Sequence, residues 1–243
     1  IQDRQIYVLE VNPRASRTVP FVAKATGLPV AGIAAQVMAG KKLKEFKLPT
    51  PRFKHIAVKE PVFPFSRFPG IDVLLGPEMK STGEVMGIDR DFPRAFAKSQ
   101  LAAGIKLPQS GTVFISIKDA DKPMIVDPAR KLEAMGYDLV ATRGTATYLT
   151  EQGIKVRLIN KVMEGRPHIV DAIVNGEIQM VFNTTAGRQS IADSFSIRRT
   201  ALTYGVPHFT NISVIWAVTA ALSAMREGPL DVQPLQEYFK KAA

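Results

Sequence analysis

The sequence contains no cysteine, one tryptophan and three histidines among its 243 residues. Without cysteine there is no disulfide framework, no thiolate metal site and no cysteine nucleophile. No apolar run approaches the roughly 18 residues that a membrane helix needs. The most apolar stretch, residues 212–225, is interrupted by Ser213, Thr219 and Ser223. We expect no signal peptide, and Ile1 in place of Met suggests a piece of a larger protein.

The composition, 46% hydrophobic and 22% charged, is typical of a globular protein. The net charge of +10 is uneven, because residues 1–110 hold 17 Lys and Arg against 9 Asp and Glu. Such an excess favours a polyanion partner or a solvated surface. The basic residues lack the interleaved aromatics of a single-strand binder and fit no helical DNA-reading motif. We therefore favour the solvated surface, with polyanion binding as an alternative.

The chain divides into two differently patterned regions, with a predicted boundary in residues 105–110. Residues 47–76 are rich in proline and phenylalanine, which predicts short strands and turns. Beyond the boundary, strand and helix patterns alternate about five times, which predicts a doubly wound parallel sheet with helices on both faces. The predicted helices are Val19–Thr26, Val30–Ala39, Phe92–Ala103, Pro123–Met135, Thr145–Gln152, Ile169–Val174, Ile191–Tyr204 and Ile212–Met225. The predicted strands are Tyr7–Val11, Thr112–Ile117, Leu139–Thr142, Val156–Ile159, Met180–Asn183 and His208–Thr210.

Small polar and basic residues follow four of the predicted parallel strands. Ligands of such sheets bind at the carboxyl ends of the strands. Hydroxyls, amides, lysines and helix N-termini at these ends suit a small phosphorylated ligand. The alternative is that they are only caps and turns. The residues are Ser116, Lys118, Lys122, residues 142–145, Asn160, Lys161 and residues 183–188.

Glu10 and Asn12 are two residues apart at the end of a predicted strand, so both point to one face. A carboxylate and an amide oxygen suit a hard ion such as magnesium. Arg14 and Arg17 follow and could neutralise phosphate oxygens. A turn with surface arginines explains the same residues equally well.

Several longer motifs identify a family. Residues 10–21 (EVNPRASRTVPF), 68–70 (FPG) and 75–87 (LGPEMKSTGEVMG) resemble the second ATP-grasp domain of the carbamoyl-phosphate synthase large-chain family. Residues 142–145 (TRGT), 160–161 (NK), 164–168 (EGRPH) and 183–185 (NTT) resemble its methylglyoxal-synthase-like regulatory domain. The resemblance covers essentially the whole chain. It implies that residues 1–108 are an α+β remnant of the ATP-grasp domain and that residues 109–243 are the regulatory domain, with a five-stranded sheet.

The resemblance implies a ligase that makes carbamoyl phosphate from bicarbonate, glutamine-derived ammonia and two ATP, for arginine and pyrimidine synthesis. Glu10 and Asn12 would hold Mg²⁺ or Mn²⁺, with Glu10 also touching the nucleotide and the catalytic Arg14 beside the phosphates. The other wall of that site would lie upstream of Ile1, so we expect neither ordered metal nor ATPase activity in this segment. A cytoplasmic enzyme with a small glutaminase subunit and other large subunits is implied, without nucleic acid or membrane partners.

The family's regulatory domain binds the effector UMP and, in some members, IMP. The matching residues here are Ser116, Lys122, Thr142, Thr145, Lys161, Asn183, Thr184 and Thr185. Arg143 replaces the histidine common at its position. Ornithine, an activator in some members, would contact Glu60, His208 and Thr210, where His208 replaces a tyrosine.

Methylglyoxal synthase shares the regulatory fold and is a lyase. Its catalytic aspartate follows the fourth strand, where this sequence has residues 183–187 (NTTAG) without a carboxylate. We therefore keep lyase activity only as an alternative.

Overall fold

The computed structural model describes residues 3–8, 16–48, 53–65, 73–74 and 83–239. These residues form two compact units. The smaller comprises Ile1–Lys54 with Gln233–Ala243, and the larger comprises His55–Val232.

The smaller unit contains two short helices, α1 (Thr18–Thr26) and α2 (Val30–Met38). Gly27 separates them with φ +70°, a left-handed conformation that favours glycine. The predicted strand Tyr7–Val11 is wrong at its described residues, because Tyr7 and Val8 are exposed and unpaired with any described strand. A short apolar run predicts a strand only where a neighbouring strand is present to pair with it. The rest of that prediction lies outside the described residues.

The larger unit begins with an antiparallel pair and a helix. Strands β1 (Ile56–Val62) and β2 (Gly83–Asp89) pair along their whole lengths, and α3 (Phe92–Ala102) follows. Asp91 caps α3 by accepting a hydrogen bond from the Arg94 amide at 2.9 Å.

A five-stranded parallel sheet forms the centre of the larger unit, as the alternation predicts. Its strand order is β5-β4-β3-β6-β7. The strands are β3 (Thr112–Ser116), β4 (Asp138–Ala141), β5 (Arg157–Leu158), β6 (Met180–Asn183) and β7 (His208–Phe209). The helices are α4 (Lys122–Ala134), α5 (Arg143–Glu151), α6 (Ile169–Val174), α7 (Gly187–Asp193), α8 (Phe195–Thr203) and α9 (Ile212–Glu227).

Both faces of this sheet are buried, because helices cover each side. Alternate residues of β3 enter different cores: Val113 and Ile115 pack with α3, α4, α5 and α9, whereas Phe114 packs with α6 and α8. Continuous apolar strands are expected where a parallel sheet is covered twice. The predicted doubly wound fold is thereby confirmed.

The predicted single helix Ile191–Tyr204 is wrong, because the chain forms α7 and α8 with a break at Ser194. The Asn183 side-chain amide donates to the Ser194 hydroxyl at 3.4 Å. The buried Arg198 reaches back across the break and donates to the Ile191 carbonyl at 2.9 Å. Tertiary hydrogen bonds therefore stabilise a break that neither glycine nor proline marks in the sequence.

The predicted boundary segment, residues 105–110, is fastened to the larger unit. Leu107 lies in the core. The Tyr137 hydroxyl donates to the Pro108 carbonyl at 2.6 Å, and Arg226 donates to the Gln109 carbonyl at 2.7 Å. The compact unit thus begins upstream of this segment, while the assignment of residues 1–108 and 109–243 to two family domains stays a prediction.

Strand β2 and helix α3 approach one another closely at Gly87. A Cβ at this position would overlap the backbone carbonyl oxygen of Ala95 and lie 2.5 Å from the Ser99 amide nitrogen. Both are backbone atoms of α3, so neither can rotate away. The glycine that weakens the strand pattern is what allows the helix to pack on the strand.

We expect Gly87→Ala to lower the free energy of unfolding by about 3 kcal/mol, because the added methyl group overpacks this contact. Urea unfolding followed by circular dichroism measures the change. Gly83→Ala is the matched control, since in the same strand the nearest atom of the described residues to a Cβ at Gly83 is the Val62 Cβ, at 4.0 Å. Equal destabilisation by the two substitutions would contradict the close-approach argument.

Candidate functional site

The carboxyl ends of β3 and β6 form the point at which the strand order reverses. From β3 the chain adds β4 and β5 on one side, then crosses to add β6 and β7 on the other. Open α/β sheets bind ligands in the crevice at such a point. Ser116 and Asn183 are register partners there, each the last residue of its strand. The fold therefore brings two predicted site residues together.

Ser116 joins three strand ends through hydrogen bonds. The Thr142 hydroxyl donates to the Ser116 hydroxyl at 3.2 Å. The Thr184 amide donates to the Ser116 carbonyl at 3.0 Å. Since Thr142 follows β4 and Thr184 follows β6, these bonds fix both neighbouring ends around the end of β3.

Two of the predicted threonines shape the turn that follows β3. The Thr145 hydroxyl accepts a hydrogen bond from the Ile117 amide, and the Thr184 hydroxyl accepts one from the Lys118 amide, each at 3.1 Å. A hydroxyl that accepts one bond can still donate its proton. Each threonine therefore has a structural role and keeps a donor for a ligand.

The side-chain amide of Asn183 is only partly satisfied. The residue is 1% exposed, and among the described residues one end of the amide contacts Ser194 while the oxygen has no hydrogen-bond partner. A buried polar atom without a partner is costly. A ligand at the reversal point would relieve that cost.

Helix α5 begins directly after β4 and directs its N-terminus to this edge. Thr142 is its N-cap and has an extended backbone. The first amides of a helix lack intrahelical partners and attract anions. At Gly144, a Cβ would lie 3.5 Å from the Lys122 Nζ, so this cation sits beside the first turn of α5.

Lys122 and Lys161, both predicted to bind phosphate, act on the same carboxylate, that of Asp119. The Lys122 Nζ lies 2.7 Å from the Asp119 Oδ1. The pKa of Asp119 is lowered, first by the hydrogen bond from Lys122 and its charge, and further by the charge of Lys161. The structure thus places both lysines within electrostatic reach of one carboxylate. Thr185 is partly buried in the segment after β6. Arg143, the residue noted above as replacing a common histidine, is exposed.

Sequence reasoning missed Asp119 and Ser194. Asp119 lies in a short turn, Asp119–Asp121, that precedes α4. Its position three residues before Lys122 was the available signal, since that spacing suits an ion pair. Ser194 carried no such signal, because only the tertiary fold brings it to Asn183.

The three residues predicted for ornithine lie in two different sheets. Glu60 is in β1 of the antiparallel pair, whereas His208 begins β7 and Thr210 follows it. Burial raises the pKa of Glu60, and a hydrogen bond from the Gln100 side chain partly offsets that effect. Ornithine binding at these residues stays a prediction.

Glu10, Asn12 and Arg14 lie outside the described residues, so their predicted roles at magnesium, manganese and ATP stay predictions. No group of three or more His, Asp or Glu suited to a metal ion occurs in the part of the chain that the structure describes. Among the described helices, none is by itself long and apolar enough to cross a membrane. Only α1 and α2 taken together, bent by 115°, meet that test of length and composition.

Comparison with known families gives two matches. The MGS-like domain model matches residues 124–210. The model of the carbamoyl-phosphate synthase L chain, ATP binding domain, matches residues 1–46. The two matches fall in the two regions that the sequence pattern separates.

Curated relatives match nearly the whole chain. The carbamoyl phosphate synthase large chain of Myxococcus xanthus is 61% identical over 240 residues, 98% of this chain and 22% of that relative. The same-named protein of Synechocystis is 53% identical over 242 residues, again 98% and 22%. That of Archaeoglobus fulgidus is 50% identical over 244 residues, 100% and 23%. The chain thus spans about a fifth of the length of these relatives.

We expect Glu60→Gln to stabilise the protein increasingly as the pH rises above about 4.5. A carboxyl whose folded-state pKa is raised binds its proton more tightly when folded, so its contribution to stability falls as the pH rises through that pKa. Urea unfolding between pH 4 and pH 8 tests this. Glu151→Gln, at an exposed position of α5, is the control. A constant difference between Glu60→Gln and the wild type across this range would contradict the burial argument.

We expect Thr145→Val to lower the free energy of unfolding by about 1–3 kcal/mol, because it leaves the buried Ile117 amide without its acceptor. Thr147→Val, at an exposed position of the same helix, should change stability by less than about 0.5 kcal/mol. Urea unfolding of the three proteins gives both values. Similar losses at positions 145 and 147 would show that this hydrogen bond does not stabilise the turn.

Proposed function

We propose that this chain belongs to the carbamoyl phosphate synthase large-chain family and that its residues 109–243 bind a nucleoside monophosphate effector at the carboxyl edge of the parallel sheet. The observation that carries the proposal is the meeting of Ser116 and Asn183 at the reversal of strand order. Hydroxyl groups, the α5 N-terminus and Lys122 lie at this edge, and the charge of Lys161 acts on the same carboxylate as Lys122 does. UMP is the effector we expect first, with IMP as the alternative nucleotide.

The chemistry of the site supports a nucleotide over a bare phosphate ion. Lys122, Lys161 and the first amides of α5 offer positive charge and donors to a phosphate group. Among the described residues the side-chain oxygen of Asn183 has no partner, and it needs a donor such as a ribose hydroxyl or an N–H of the base. A nucleoside monophosphate supplies both kinds of group in one molecule.

We propose that the parent protein is the ATP-dependent ligase of this family. It would form carbamoyl phosphate from bicarbonate, ammonia and two ATP, with a glutaminase subunit supplying ammonia and with other large subunits as partners. Glu10, Asn12 and Arg14 would serve its second ATP site with Mg²⁺ or Mn²⁺. The match of residues 1–46 to the ATP binding domain model supports this assignment.

Effector binding changes catalysis only if two states of the parent protein bind the effector with different affinity. Within the larger unit, Phe96 and Ala97 of α3 share one apolar core with Val113 and Ile115 of β3. Segment 105–110 is hydrogen-bonded to the same unit at Pro108 and Gln109. We infer that a shift at the strand ends reaches α3 through packed side chains rather than through a flexible linker.

We expect calorimetric titration to show one UMP bound per chain. Lys161→Ala should weaken binding at least ten-fold, because a charge-assisted contact to phosphate is lost. Lys155→Ala is the matched control, an exposed lysine in the loop that precedes β5. IMP and ornithine serve as comparison ligands.

The same titration at two salt concentrations tests the polyanion alternative. A nucleotide site should lose little affinity between 50 mM and 200 mM salt, whereas a surface that contacts many phosphates loses affinity steeply. If UMP binding is saturable but Lys161→Ala leaves it intact, the proposed site is contradicted. If the folded wild-type protein binds no UMP, the proposed function is contradicted.

A further inference from the structure

Asp119 forms a short ion pair with Lys122 although the Asp119 side chain is almost fully exposed to solvent. Its side chain is 93% exposed, yet its Oδ1 lies 2.7 Å from the Lys122 Nζ. Exposed ion pairs contribute little to stability, because water and salt compete with them. Lys122 differs from a surface lysine, since its side chain is only 19% exposed. A side chain that is largely buried is held in place, so it loses less conformational freedom when it binds an anion than a solvated one does.

The place where Lys122 is held is itself electropositive. Its Nζ lies beside the first turn of α5, 3.5 Å from the position that a Cβ of Gly144 would take, and 6.0 Å from the Tyr148 ring centroid. The N-terminus of a helix carries partial positive charge. An ammonium group at that point favours a nearby anion, and the structure pairs it with the carboxylate of Asp119.

Lys161, which follows a different strand, acts on the same carboxylate. It follows β5, whereas Asp119 follows β3, so the two residues are far apart in sequence. The pKa of Asp119 is lowered by Lys122 first and by the charge of Lys161 in addition. The carboxylate therefore lies within the field of both lysines that the proposed function assigns to phosphate.

We propose that Asp119 is an internal competitor for the effector phosphate, holding Lys122 until the phosphate displaces it. This inference rests on the proposed function and concerns the same site. A phosphate monoester carries about −1.5 to −2 charge at pH 7, whereas one carboxylate carries −1. Displacement therefore favours phosphate monoesters over monoanions, so Asp119 lowers the affinity for every anion and raises the selectivity for phosphorylated ones.

Asp119→Asn tests the competition directly. The substitution releases Lys122 and removes one negative charge from the site, and we expect UMP to bind about five-fold more tightly. Asp127→Asn is the matched control, because Asp127 pairs with Lys131 at 2.8 Å further along α4. The control removes the same charge and the same kind of ion pair, and it should change the UMP dissociation constant by less than about two-fold.

Measuring Asp119→Asn in a protein that already carries Lys122→Met separates competition for Lys122 from a general effect of charge. Asp119→Asn is added to Lys122→Met, and the two changes are analysed as a double-mutant cycle. If Asp119 acts through Lys122, the Asp119→Asn gain in UMP affinity falls below about two-fold in this background. An undiminished five-fold gain with Met at position 122 would overturn the competitor proposal.

The ion pair can also be measured without any nucleotide. Carbon-13 NMR of the Asp119 carboxyl in the ligand-free chain should show its pKa rising when Lys122 is replaced by Met, and an unchanged pKa would overturn the proposal. If Asp119→Asn tightens UMP binding no more than Asp127→Asn does, this proposal is overturned while the proposed function stands. Absence of UMP binding by folded wild type and folded Asp119→Asn would overturn the proposed function and this inference together.

Discussion

The central strand β3 is the constraint on which the larger unit depends. Parallel partners on both sides and helices on both faces leave none of Val113, Phe114 and Ile115 any contact with water. Burying each such side chain stabilises the fold by about 2 kcal/mol. The same arrangement fixes where the strand ends, because the first polar side chain after this apolar run is Ser116. The chemistry of the edge therefore begins where the burial of β3 stops.

Much of the fold follows from patterns that a single sequence displays. The alternation of apolar strands and capped helices beyond residue 110 is a strong signal, since both faces of the sheet must be buried and each helix needs its own ends. Gly136, with φ +81°, lies just past α4 at the kind of position where glycine is expected. The elements that sequence reasoning missed depend on contacts between distant residues. Gly87 reads as a weak strand residue until the α3 backbone is placed beside it, and the break at Ser194 depends on Asn183 and Arg198.

The candidate site shows the same division. Residue types at the strand ends predict a phosphorylated ligand because topology alone brings parallel carboxyl ends to one edge. Pattern reasoning cannot reveal that Thr145 and Thr184 already accept bonds from backbone amides. These are properties of distances rather than of composition. The strand-end threonines therefore close the turn after β3 in addition to lying at the proposed ligand site.

The hydrogen bonds to segment 105–110 also determine where the chain can be cut to prepare an isolated domain or a chimera. Tyr137 and Arg226 bind the carbonyls of Pro108 and Gln109, and Phe96 and Ala97 cover the apolar face of α9. A domain excised at residue 109 would keep Tyr137 and Arg226 but would lose the helix that covers that face. The apolar face of α9 would then be exposed to water, and the isolated domain would self-associate. For chimeras between relatives, the junction that preserves the packing of the larger unit lies before His55, where that unit begins.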